Sequence, residues 1–321
     1  MKYGNWFKSA FVSSSLVVLA SCGGGAPAVD TTAPTILSTV PASAATGVTA
    51  NATIQITFSE AMNKAITQTA YQSASSGILP ANVTFNWNTA GTVLTITPNA
   101  LLTINGGSDP ATVVARPYAY SITNVATDLA GNPLTTTANN FTTQRRITQD
   151  LPVVTALTGE VRADGSTTAC VPICVGDSGT AANAQYKGFL SFGITSIPAG
   201  VQSFEFANLS ASQTQIDGDP YGTLGGTITL DHVNFATLDF ASAFSITAPL
   251  RTLGALSTTA TIEVKTLSVL PAIQDDYAQR VARGNRTQYR LTFGIPASFN
   301  NMLDSAGFSA TPVLNVRYFL P

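Results

Sequence analysis

Apolar residues recur at every second position, in short runs that nowhere lengthen into a long helical stripe. Ile54, Ile56 and Phe58 alternate with Gln55 and Thr57, and the pattern returns in Val83, Phe85 and Trp87, in Leu94 and Ile96, and in Tyr118, Tyr120 and Ile122. Further on it recurs in Ala260, Ile262 and Val264, in Tyr289, Leu291, Phe293 and Ile295, and in Leu314, Val316, Tyr318 and Leu320. Successive side chains of a strand point to opposite faces, so this period buries one face and wets the other. Short strands separated by Gly, Pro and Asn turns predict an all-β chain of packed sandwiches. The 321 residues leave room for two such cores. Charged residues make up only 10%, against roughly 25% in ordinary soluble proteins, and that balance suits exported β-structure with hydroxyl-covered faces. A formal net charge of -2 provides no basic field for nucleic acid, which excludes that partner class.

Two stretches interrupt the β rhythm. Ile273, Tyr277 and Val281 recur every fourth residue, with Asp275 and Asp276 near the start, Arg280 and Arg283 near the end, and Gly284 just beyond. Those signals predict one short amphipathic helix with dipole-compatible charges and a C′ glycine, covering one end of a sandwich. The polar run from Gln144 to Asp150, closed by Pro152, reads as a junction between a domain at 33–144 and a second at 153–321.

The N-terminus carries Lys2 and Lys8 and then an apolar run over residues 10–20. It is shorter than the roughly 20 residues a bilayer span needs, and has the layout of an export signal. Leu19-Ala20-Ser21-Cys22 resembles the lipobox of bacterial lipoproteins. That resemblance implies that residues 1–21 are a cleaved signal peptide and that Cys22 is acylated; an ordinary secretory signal is the alternative. Two or more acyl chains, at about 0.8 kcal/mol per buried CH₂, give stable membrane anchoring. Residues 22–32, rich in Gly, Ala, Pro and Thr with Asp30 as their one charge, read as a flexible tether, a coil of roughly 15 to 20 Å.

A series of ordered motifs follows: APTI from Ala33, VP at Val40, GV at Gly47, IQITFSEAM from Ile54, LTITP from Leu94, YAYSIT from Tyr118, DLAGNPL from Asp128 and FTT from Phe141. Together they resemble the bacterial Ig-like domain of the S-layer type, whose members are spacers and surface modules. Within it Glu60 reads as a solvated turn residue, since no second acid or base accompanies it at a fixed spacing, and Gly131-Asn132-Pro133 reads as a turn. In the second half, YKGFLSFGITSI from Tyr186 with Pro198-Ala199-Gly200, the helix, and QYRLTF from Gln288 resemble in outline the DNRLRE-type jelly-roll modules of cell-surface proteins, some of which are classed as carbohydrate-binding. The expected fold is therefore all-β: an N-terminal Ig-like β-sandwich followed by a jelly-roll-like β-sandwich with one short helix.

Few residues offer chemistry. With Cys22 acylated, Cys170 and Cys174 are left to pair in an oxidising compartment. A loop that small contributes only about 2 kcal/mol, and a lone C-x₃-C without nearby histidines is a poor zinc site. Gly176-Asp177-Ser178-Gly179 mimics the nucleophile segment of chymotrypsin-like proteases, but that mechanism needs a base. His232 is the single histidine, lies downstream of the serine, and reads as a structural residue in a strand. Asp217 and Asp219 cluster in a tight loop and are candidate ligands for a structural calcium, the one cofactor the sequence offers. Tyr221 is the loop aromatic of the second domain placed to stack on a sugar ring, whereas Trp87 alternates into a core. The expected function is non-catalytic binding or adhesion at the cell envelope, with no enzyme activity. The Ig-like unit serves as a stalk presenting a possible glycan-binding module, held to the outer membrane or cell surface through the lipid. The alternative is a scaffold packing against envelope or S-layer protein.

Overall fold

The computed structural model describes residues 29–165, 173–179 and 183–321. The signal peptide, Cys22 and most of the tether lie outside those residues, as does Cys170.

The first half forms a two-layer sandwich with the short helix α1 (Lys64–Thr69) at its side. One sheet comprises β1 (Ile36–Val40), β3 (Ile54–Phe58), β6 (Val93–Pro98) and β5 (Val83–Trp87) in that order. The other comprises β2 (Ala45–Val48), β9 (Thr137–Thr143), β8 (Pro117–Ile122) and the two-residue β4 (Tyr71–Gln72). The alternation works as expected: Ile54, Ile56 and Phe58 meet Leu94, Ile96, Tyr118, Tyr120, Ile122 and Phe141 in one core, with Phe85 and Trp87 at its margin. Local chemistry sets the turns. The Asn88 side-chain oxygen accepts the N–H groups of Thr92 (2.9 Å) and Val93 (3.0 Å) and closes the β5–β6 hairpin, where Gly91 takes φ +74°.

The second half is a larger sandwich built around one long strand, β14 (Ser203–Asp217). Its first part pairs with β20 (Val313–Leu320) on one side and β17 (Val264–Ser268) on the other. After an irregularity at Gln213 it passes to β19 (Asp304–Phe308), so a single strand serves both layers. Beyond β19 the order is β12 (Ile173–Asp177), β13 (Gln185–Gly193), β18 (Arg286–Phe293), β15 (Ile228–Val233) and β16 (Arg251–Ser257), with β11 (Gly159–Arg162) also on β13. Leu314, Val316, Tyr318 and Leu320 of β20 pack with Leu190, Phe192, Leu230, Tyr289 and Leu291 from the other layer. A smaller apolar cluster of Val161, Phe189, Val233, Phe235 and Phe244 sits where the segment after β15 folds back over the outer face of this layer.

Three expectations change. The polar run read as a junction is β10 (Arg145–Leu151), paired antiparallel with β20 over its whole length. Its Ile147 and Leu151 enter the core of the second sandwich. On its free side it takes β7 (Asn105–Gly107) of the Ig-like half as a parallel neighbour, so a hydrogen-bonded ladder runs from one half into the other. Around residue 264 the phase is inverted: Ile262 and Val264 are exposed, while Lys265 turns in, bonded to Glu263 (2.6 Å) and Thr259 (3.0 Å). The helix is also shorter than its period. α3 (Leu270–Ala278) buries Ile273 and part-buries Tyr277, but Val281 lies beyond it and is exposed.

Candidate functional site

The acidic loop singled out in the sequence lies where β12, β19 and β14 end side by side, with Asp177 opposite Asp304 and Asp217 opposite Ser305. Asp304 organises it. Its Oδ1 accepts the Asp219 N–H (2.7 Å), and its Oδ2 accepts the Thr223 hydroxyl (3.0 Å) and the Asn300 amide (2.9 Å). Burial opposes its charge, but the donors from Asp219, Asn300, Thr223 and Ser298 outweigh it and hold the carboxyl below the usual range. Gly218, at φ +66°, is required here: a Cβ would collide with the Asp304 carboxylate and the Leu303 carbonyl. Asp217 accepts from the Gln215 amide (2.8 Å) and the Ser305 hydroxyl (3.2 Å), and Asp219 caps the short helix α2 (Pro220–Thr223) through the Gly222 N–H (3.0 Å). Fully buried Asp177 accepts the Ser298 N–H (2.6 Å) and hydroxyl (2.8 Å) on one oxygen and, among the described residues, has no donor on the other. Asp217 and Asp219 are thus engaged by protein donors that pin two loops.

Tyr221 differs from the expected stacking platform. Placed on α2, its ring is half-buried edge-on against Phe293, with centroids 5.2 Å apart. Its hydroxyl donates to Gln213 (2.6 Å) and contacts the Ser257 hydroxyl (2.6 Å), so ring and hydroxyl are both occupied within the fold. Cys174 is disulfide-bonded.

The protease-like residues are also used structurally. Ser178 Oγ accepts the Ala184 N–H (2.9 Å) at the β12–β13 hairpin. His232 is 1% exposed, and its Nε2 lies 2.8 Å from Asp276 Oδ2. Asp276 in turn pairs with Arg283, which also holds Asp275 at 2.7 Å. His232, Asp275 and Asp276 form one of two groups of three ligand-type side chains within 4.8 Å among the described residues, and the Arg283 guanidinium already supplies the positive charge there. The other group is Asp30, Glu60 and Asp128. Glu60 therefore has the acidic company that its sequence neighbourhood lacks, because the Asp128 turn and the docked end of the tether reach it from remote positions. Desolvation, then Asp30, then Asp128 push its carboxyl above the usual range.

A further cleft of about 420 Å³ opens on the outer face of the β13–β18 layer. Lys187 and Arg290 form part of its floor, and Phe240 and Phe244 come from the segment after β15. Lys187 Nζ donates to the Phe244 carbonyl (3.0 Å) and stands 3.9 Å from that ring's centroid. Arg290 is paired with Asp231 (2.7 Å). Phe240 stacks on Phe244 at 5.2 Å and is 43% exposed. Desolvation, and secondly the Arg290 charge, lower the Lys187 pKa to about 8. Sequence reasoning missed this site because nothing in local spacing links Lys187 to Arg290; cross-strand register does, with Phe189 opposite Arg290.

Residues 30–143 match the family model of a bacterial Ig-like domain. No curated protein matches the chain. Among solved structures, the N-terminal part of the bacterial S-layer protein SbsC aligns at 13% identity and a TM-score of 0.25, over 50% of this chain and 40% of that one. The L,D-transpeptidase from Mycobacterium smegmatis aligns at 13% identity and 0.25, over 74% and 75%. Domains 1–6 of the surface layer protein SbsC align at 10% and 0.25, over 74% and 41%. The chain spans less than half the length of those S-layer structures, and superpositions this loose assign neither fold nor function.

Proposed function

We propose that this is a lipid-anchored protein of the bacterial cell envelope, in which an Ig-like sandwich presents the second sandwich as a non-catalytic recognition module. The observation that carries the reading is the joint. β7 of the Ig-like half hydrogen-bonds to β10, which belongs to the sheet of the other half. Arg145 Nε donates to the Pro321 carbonyl (2.8 Å), while its Nη1 donates to those of Pro110 (3.0 Å) and Val113 (3.1 Å). Gln144 and Gln202 bond across the same seam (2.7 Å). A ladder reinforced in this way holds the second sandwich in a fixed pose instead of letting it swing, which suits a spacer that displays a binding surface. The lipobox-like Leu19-Ala20-Ser21-Cys22 supports the anchor. The Ig-like match supports the surface setting. The internal bonding of Ser178 and His232 supports a role without catalysis.

The test is metabolic labelling of cells with an alkyne fatty acid, comparing wild type with Cys22→Ala. The expected result is a labelled, membrane-associated wild type and an unlabelled variant released from the membrane fraction. An unlabelled wild type in the cytosolic fraction would overturn the reading.

A further inference from the structure

We propose that the cleft between Lys187 and Phe240 binds an acidic sugar, with the ammonium of Lys187 meeting the carboxylate and the exposed face of Phe240 carrying the ring. This rests on reading the second sandwich as a recognition module and names the ligand class that it would take.

Charge is the first support. Among the described residues two cations, Lys187 and Arg290, line the cleft and no carboxylate does. Arg290 is paired with Asp231, which accepts from its Nε (3.3 Å) and Nη2 (2.7 Å). Lys187 has no carboxylate partner; among the described residues its ammonium donates to the Phe244 carbonyl. An ammonium has three donors, and one of them is spent on the Phe244 carbonyl. Burial, and secondly the Arg290 charge, outweigh the pull of Asp231 and lower the Lys187 pKa to about 8, so the ammonium is costly to keep charged. An incoming carboxylate reverses that cost and gains charge-assisted hydrogen bonds.

Shape is the second support. The volume of about 420 Å³ lies in the range of small-ligand sites. Phe240 is a large aromatic left 43% exposed at the start of the helical turn Phe240–Phe244, held by stacking on Phe244 and by the capping Asp239, whose side chain accepts the Ser242 N–H (2.7 Å). Gln185 and Thr292, also in the lining, supply neutral polar groups for sugar hydroxyls. A ring with one apolar face, several hydroxyls and one carboxylate matches this combination of groups; a bare inorganic anion would leave Phe240 uncovered.

The experiment is calorimetric titration of the full-length chain in detergent with tri-galacturonate, its methyl ester and inorganic phosphate. Wild type, Lys187→Met and Phe240→Ala are compared, with thermal melts to verify folding. Expected results are measurable binding of the acid, at least tenfold weaker binding of the ester, at least tenfold loss in K187M, and about fivefold loss in F240A. Affinity for the acid should also fall as pH rises past about 8, where Lys187 gives up its proton, well below the usual lysine range. Equal affinity for acid and ester, phosphate binding as tightly as the sugar, or folded K187M binding like wild type would each overturn the assignment. A chain that binds no uronate yet remains fatty-acylated and membrane-held would sink the sugar site and leave the anchored recognition module standing.

Discussion

Replacing Arg145 by Ala should loosen the seam between the two sandwiches without unfolding either. The substitution removes three N–H···O=C bonds, to Pro321 on one side and to Pro110 and Val113 on the other. The backbone of residue 145 keeps its ladder partners, Leu320 and Asn105. A hydrogen bond to a charged group is worth about 1.5–3 kcal/mol when its loss strands a buried partner. Arg145 is only half-buried, so water can re-solvate the three carbonyls, and each bond then counts about 0.5–1.5 kcal/mol. Bonds sharing one guanidinium do not add fully, which gives a loss of about 2–3 kcal/mol in local opening free energy. At roughly 1.4 kcal/mol per factor of ten, amides of residues 105–107 and 145–147 should exchange about 30- to 140-fold faster, as read by hydrogen-exchange mass spectrometry. Arg145→Lys should recover less than half of that protection, because a point charge cannot reach three carbonyls in fork geometry. Exchange at the seam unchanged within twofold in R145A would refute the role given to the guanidinium.

Asp304→Ala should cost about 2–4 kcal/mol in urea unfolding, since it strands donors on Asp219, Thr223 and Asn300. With its folded pKa depressed, Asp304 contributes stability that is fully present above an unfolded value of about 3.9 and is lost as pH falls through the folded value; D304N should flatten that acid limb of the stability profile. Leu291→Ala, at a fully buried position in the main core of the second sandwich, should cost about 2–5 kcal/mol. His232→Ala should cost about 1–3 kcal/mol by the same assay, because Asp276 keeps Arg283 as its partner.

Where one face of a strand meets the core and the other meets water, the pattern was plain in the sequence. β3 and β20 are such strands, and Ile54, Ile56, Phe58 and Leu314, Val316, Tyr318, Leu320 lie inside as their spacing requires. β10 hid behind polarity: between Ile147 and Leu151 its side chains are Thr148, Gln149 and Asp150, and Arg145 is spent on carbonyls across the seam. β17 runs out of phase with its alternation because an ion pair and a threonine allow Lys265 to turn inward in place of its apolar neighbours. β18 reads as one-faced, yet Gln288 and Arg290 are buried too, under a segment whose docking no local spacing announces. The sites follow the same rule. Asp217 and Asp219 were visible as a loop, but the residue that organises it, Asp304, arrives through pairing of β14 with β19. Tyr221 reads as a loop aromatic, while its burial depends on Phe293 from a distant strand.

The most direct test of the account is the distance between spin labels on opposite sides of the seam. Labels replace Leu129 in the Ig-like half and Val281 in the second, 75% and 85% exposed respectively, in the full chain carrying Cys22→Ser. A pair at Leu37 and Leu129, both within the first sandwich, gives the reference width. A single distance peak as narrow as the reference is expected, broadening in R145A. A broad or multi-peaked distribution in the wild-type background would show two units swinging freely and contradict it.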